Sequence, residues 1–208
     1  MAQTEKVKEI IHILRGLFPQ VTTALHYSTP WELLVAVILS AQTTDKMVNK
    51  VTPGLFRKYP TVSAFAHADV NEISSNIHAI GFHQTKARYL VESARKISDQ
   101  YHGVVPRTVE ELVSLSGVGK KTANVVLGVA FGIPSGIAVD THVMRLSRQL
   151  GLTTAKTPEK IEEELQKIVP KHKWIEFSLL LIEYGRAYCP ARSHDHNNCP
   201  LSLYYQST

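Results

Sequence analysis

Apolar residues recur at spacings of three and four along almost the whole chain, and nowhere do apolar and polar residues alternate with period two. That pattern leaves no candidate for a half-buried strand and predicts an all-α fold of roughly ten helices with short connections. Val7, Ile10, Ile11, Leu14 and Leu17 make one face of a helix over Lys6 to Phe18. Thr29-Pro30 is a start signal, with Thr29 as N-cap and Pro30 in the first turn. The stretch Trp31 to Ala41 behind it is apolar nearly all round, which places it at the centre of a core. Asp45 to Tyr59 follows, with Pro53 expected to bend or restart it. Shorter helical stretches cover 62–66, 70–77 and 86–101. Val109 to Leu115 and Lys120 to Phe131 flank a glycine pair, and Gly132 with Pro134 stops the second of them. Thr141 to Leu150, Pro158 to Val169 and Ile175 to Tyr184 complete the set, and the tail from Arg186 to Thr208 is expected to be irregular.

Charged residues make up 20% of the 208, which excludes a disordered or coiled-coil chain. The longest apolar run, Leu33 to Leu39, is far shorter than the roughly 20 residues that span a bilayer. The N-terminal residues are charged, with no secretory core, so the expectation is a soluble, cytoplasmic protein with no membrane partner. The net charge of +5 favours a polyanionic partner, nucleic acid first. The two cysteines, Cys189 and Cys199, argue against a disulfide scaffold.

The most informative segment is Leu115-Ser116-Gly117-Val118-Gly119-Lys120-Lys121-Thr122-Ala123. Gly117 and Gly119 allow a tight turn between two helices. The second helix then starts with backbone N–H groups that have no partner within the helix, and its dipole favours an anion there. A DNA phosphate fits, bound without reading sequence, and Lys120 and Lys121 add cations to it. An ordinary interhelical turn explains the glycines equally well, and the phosphate-loop spacing of nucleotide-binding proteins is absent. Further on, Ala138-Val139-Asp140-Thr141-His142 reads as a helix start, with Asp140 able to serve simply as N-cap.

Taken together, Leu-x-Gly-Val-Gly-x-Lys-Thr-Ala and Val-Asp-Thr-His-Val resemble the helix-hairpin-helix DNA glycosylase/AP lyase family of the endonuclease III type. The resemblance extends upstream through Leu39-Ser40-Ala41-Gln42-Thr43-Thr44-Asp45 and Ile80-Gly81-Phe82-x-x-x-Lys86-Ala87. It extends downstream through Gly185-Arg186 and Cys189. It implies a bifunctional enzyme of base excision repair, acting as a monomer on double-stranded DNA with oxidised pyrimidines or abasic sites. It implies two helical lobes, one over 24–134 ending in the hairpin and one over 1–23 plus 135–208, with the active site in the cleft between them. Lys121 matches the family's catalytic lysine and Asp140 its catalytic aspartate, whereas Lys120 matches a non-catalytic basic position. An amine in that role displaces the base at C1′ and leaves a Schiff base on the opened sugar, and β-elimination then cuts the strand on the 3′ side. An aspartate there stabilises positive charge at C1′ and helps to move protons. Gln42 is implied to fill the space left by the flipped base, and Phe82 to wedge against the opposite strand; a core aromatic is the competing explanation for Phe82. Asp45 is expected first to cap the helix that follows it, and could also face the lesion pocket. Lys86, Arg88, Arg95 and Lys96 form a basic helix that could equally be a solvated face.

The family carries a four-iron cluster on Cys-x6-Cys-x2-Cys-x5-Cys. Here the matching positions are Cys189, His196, Cys199 and Tyr205, so the loop 189–205 is degenerate. Clusters are held by thiolates, and a phenol is a poor replacement. The expectation is therefore that the cluster is lost and the enzyme has no metal cofactor, with His194 and His196 solvated. The alternatives are zinc on Cys189, His194, His196 and Cys199, a composition that zinc accepts, an unusually ligated cluster, or a redox pair of the two cysteines. Ser116 stands where the family has proline, which costs turn rigidity and leaves both glycines in place.

Overall fold

The apolar spacing is realised as helices throughout a computed structural model that describes residues 2–205, and no strand occurs among them. The helices are α1 (Gln3–Leu17), α2 (Pro30–Ser40), α3 (Asp45–Lys58), α4 (Val62–Ala66), α5 (Val70–Asn76), α6 (His83–Tyr101), α7 (Val109–Val113), α8 (Lys120–Phe131), α9 (Thr141–Gln149), α10 (Pro158–Ile168) and α11 (Trp174–Ala187). No helix among the described residues is long and apolar enough to cross a membrane. The chain divides into two units, one of residues Thr23–Ser135 and the other of the residues up to Thr22 with those from Gly136 onward.

In the first unit α2 is the central helix, with Trp31, Leu33, Leu34, Val35, Ala36, Ile38 and Leu39 all buried. Thr29 Oγ1 accepts from the Glu32 backbone N–H at 3.2 Å, and Pro30 occupies the first turn, so the start is set locally. The helix packs on α8, α3 and α6, while α6 also carries α4 and α5. Each fully buried leucine here contributes about 1.5–3 kcal/mol relative to exposure. α3 runs through Pro53 as one helix rather than restarting there. Its cap is Thr44, whose side chain accepts from Met47 N, and Asp45 is the first helical residue instead of the cap. The reason is that Thr44 adopts the extended backbone a capping residue needs, at φ −72° and ψ 144°.

The second unit packs α11 against α9 and α1, and α1 against α10. Val7, Ile10, Leu14, Val143, Leu146, Leu165, Phe177, Leu180 and Leu181 form its core together with Tyr184. After α11 the described residues form only short 3-10 turns, at His196–Asn198 and Ser202–Tyr204. Leu201, Cys189 and Cys199 are nevertheless buried in the same core, so the irregular tail is packed.

Candidate active site

The glycine hairpin links α7 to α8, and its two glycines play different parts. Gly117 has φ +76°, and a Cβ there would lie 2.5 Å from Cδ2 of Tyr89. Both the backbone and the neighbour therefore demand glycine. Gly119 has an ordinary φ of −95° and open space where a Cβ would stand. The turn does not need it, but its bare surface lets another molecule approach the backbone at the start of α8. No side chain caps α8. Lys120 and Lys121 open the helix, both exposed, and the Lys121 side chain has no hydrogen bond or ion pair among the described residues.

Asp140 caps α9, with Oδ1 accepting from Val143 N at 2.8 Å. The capping bond fixes χ1 and leaves Oδ2 available as an acceptor. Capping and a chemical role are thus compatible in this half-buried carboxylate. Lys121 lies in the first unit and Asp140 in the second.

Gln42 and Phe82 are both exposed and both left-handed, at φ 53° and 58°. Phe82 is 66% exposed, which removes the core-aromatic explanation. A left-handed L-residue costs about 1–2 kcal/mol, and such strain collects at working surfaces. The two loops adjoin, since a Cβ on Gly81 would stand 3.8 Å from the Gln42 carbonyl oxygen.

Lys86 explains how this loop pair is held, and it corrects the reading of its helix as a solvated basic face. It is only 5% exposed. Its ammonium donates to the carbonyls of Leu39 at 2.9 Å and Ala41 at 2.6 Å, and to Thr43 Oγ1 at 3.2 Å. These acceptors close the C-terminal end of α2, where a cation satisfies both orphan carbonyls and the helix dipole. Burial pushes the Lys86 amine below the usual lysine range. The rest of α6 is similarly employed. Ser93 Oγ donates to the Ser116 carbonyl at 3.0 Å, Lys96 to that of Ser114 at 2.9 Å, and Arg95 to that of Ala66 at 2.9 Å. Arg88 pairs with Glu92 at 3.8 Å on the exposed side. One helix thus braces both the hairpin turn and the Gln42 loop. The signal was available in the sequence: Lys86 stands four residues before Leu90, on the stripe of Ala87, Leu90, Val91, Ala94 and Ile97 that α6 buries.

In the tail, Cys189, His194, His196 and Cys199 each offer a ligand atom within 4.8 Å of the others, a group that could hold a metal ion. The two histidines are therefore not merely solvated. His194 Nε2 lies 3.3 Å from Cys199 Sγ, and His196 Nδ1 lies 3.8 Å from Cys189 Sγ. Arg145 reaches Cys189 Sγ at 3.5 Å and donates to the Cys189 carbonyl. Tyr205, at the last family cluster position, shares a 2.7 Å hydrogen bond with the Tyr184 hydroxyl. Burial pushes the Tyr184 hydroxyl up to about 12 and raises Tyr205 and the Cys199 thiol as well. A phenol so reluctant to ionise, and already committed to another tyrosine, does not suit a four-iron cluster that needs four anionic ligands.

Residues 35–171 match the family model described as the HhH-GPD superfamily base excision DNA repair protein. Over 97% of its length the chain is 49% identical to endonuclease III of Synechocystis, covering 92% of that protein. A non-covalent endonuclease III–DNA complex superposes with a TM-score of 0.93 at 40% identity, over 99% of this chain and 96% of that one. A trapped endonuclease III–DNA covalent intermediate gives 0.92 at 40% identity, over 99% and 97%. The chain belongs to the HhH-GPD superfamily of base excision DNA repair proteins, and within it to the endonuclease III family.

Proposed function

We propose that Lys121 is the nucleophile through which this DNA glycosylase and AP lyase works. Its amine attacks C1′ of a damaged pyrimidine nucleotide, the N-glycosidic bond breaks, and the base leaves with a proton. The C1′–O4′ bond of the sugar then opens, with O4′ taking a proton, and the imine so formed acidifies the C2′ proton. Loss of that proton expels the 3′ phosphate and cuts the strand. Asp140 stabilises the cationic sugar and accepts or returns protons through Oδ2. Gly117, Gly119 and Lys120 receive a phosphate at the start of α8, while Gln42 and Phe82 enter the duplex where the nucleotide leaves it. The observation that carries the reading is the exposed, unengaged amine of Lys121 in the first turn of a helix that no side chain caps. We also take the tail to have lost the family's four-iron cluster, and the enzyme to act as a cytoplasmic monomer.

Borohydride trapping tests the assignment. Wild-type enzyme should give a covalent adduct on duplexes carrying thymine glycol or an abasic site, and Lys121→Ala should give neither adduct nor strand cleavage while still binding the duplex. An adduct that persists in Lys121→Ala moves the nucleophile elsewhere.

A further inference from the structure

The tail gathers two thiols and two imidazoles around one point, and that arrangement asks for an occupant. We infer that Cys189, His194, His196 and Cys199 bind a single zinc ion, which takes the place of an iron–sulfur cluster in closing the tail onto α11.

Size is the first argument. Zinc stands about 2.3 Å from sulfur and about 2.0–2.1 Å from nitrogen, so a tetrahedral site needs its ligand atoms about 3.4–3.8 Å apart. The Cys199–His194 and Cys189–His196 pairs already stand at 3.3 and 3.8 Å. No pair of the four exceeds 4.8 Å, so a small contraction suffices. A cage of several irons and sulfides would need these atoms spread around it.

The second argument is the proton on His194. Its Nδ1 lies 2.9 Å from the Arg192 carbonyl oxygen, which can only accept. Nδ1 therefore carries the hydrogen, and the lone pair is on Nε2, the atom that faces Cys199 Sγ. Metal-binding histidines are oriented by this kind of bond on the far nitrogen.

Charge and surroundings agree. Two thiolates neutralise a divalent ion, and the guanidinium of Arg145 lies 3.5 Å from Cys189 Sγ. Gln149 Nε2 lies 3.1 and 3.4 Å from the two ring nitrogens of His196, committed to neither. The Tyr205 ring stands edge-on to His196 with centroids 5.4 Å apart, so it walls the site without contributing a ligand. Mixed sulfur and imidazole donors in tetrahedral array select zinc over magnesium or calcium, which want oxygen. The ligands come from Cys-x4-His-x-His-x2-Cys, a single short loop.

The full-length chain, purified without a histidine tag from zinc-supplemented medium, should hold one zinc per molecule and neither iron nor acid-labile sulfide. Cobalt added to the stripped chain should give the strong visible bands of a tetrahedral sulfur–nitrogen site, saturating at one equivalent. Cys199→Ser and His194→Gln should each lower zinc affinity by more than about tenfold, whereas Tyr205→Phe should keep it. Iron with sulfide, a Cys189–Cys199 disulfide in the freshly prepared chain, cobalt spectra of an octahedral ion, or undiminished zinc in the two ligand variants would each overturn the assignment. The cobalt titration needs only wild-type protein, so a variant that misfolds does not shield the proposal. None of these readouts depends on strand cleavage.

Discussion

The Gln42–Phe82 loops and the 189–205 tail are both irregular segments that must hold a fixed shape, and they are held differently. The loops lean on a cation that the chain carries itself: Lys86, buried, donates to two carbonyls and a hydroxyl at the end of α2. The tail presents the opposite polarity, with electron-rich sulfur and nitrogen atoms facing one another and a pair of tyrosines behind them. A lysine completes the first arrangement internally. The second converges on a position that a cation from solution would fill. Strain follows the same division. The loops carry two left-handed non-glycine residues at their exposed tips, while the residues of the tail's Cys/His group have ordinary backbone angles. Rigid internal support lets strained tips stay in place for a partner. The tail has a packing task, shown by Leu201 and both cysteines being buried.

Lys86→Met attacks the loop side of this contrast and should have the largest effect on stability. It orphans two carbonyls, each worth about 1–3 kcal/mol when left unsatisfied, while relieving the burial of a charge. A net loss of about 2 kcal/mol in urea denaturation is expected, with affinity for lesion duplexes falling alongside. Unchanged stability would mean the lysine is not a strut. Gln42→Gly sharpens the contrast, because glycine accepts φ 53° freely. It should raise stability by about 1 kcal/mol yet weaken lesion binding. Improved stability with intact binding would remove Gln42 from the interface.

The smallest effect is a pH dependence. Burial lowers the pKa of Lys86, so between that lowered value and the ordinary lysine value the unfolded chain holds more protons than the folded one. Stability from this group therefore rises with pH across that alkaline window. The rise should be missing from Lys86→Met when the two are compared by denaturation at increasing pH. A rise that survives in the variant assigns it to another group.

Much of the molecule was legible in the order of its residues. The helix spans were predicted within a few residues, because three-and-four spacing and capping are local properties. The pattern marks Val62–Ala66 and Lys120–Phe131 to the residue. The cap of α3 was not legible: the pattern points to Asp45, but threonine caps well too and the backbone angles make Thr44 the cap. The family was legible through Gly117, Gly119, Lys121 and Asp140 in their order. The demand for glycine at Gly117 could be inferred, but the reason for it could not, because it involves Tyr89 on a different helix.

By itself the sequence determined the helical class, the places where helices begin and end, and the presence of the catalytic family's motifs. Those depend on periodicity and on neighbours a few residues apart. Only the tertiary structure decided that Phe82 is a tip and not a core ring, and that Lys86 is buried against carbonyls from α2. It likewise decided that His194 turns its Nε2 toward Cys199. Side-chain exposure, the satisfaction of a buried cation and the pointing of a ring nitrogen are set by groups far along the chain or by the path a loop takes. Local pattern carries no record of them.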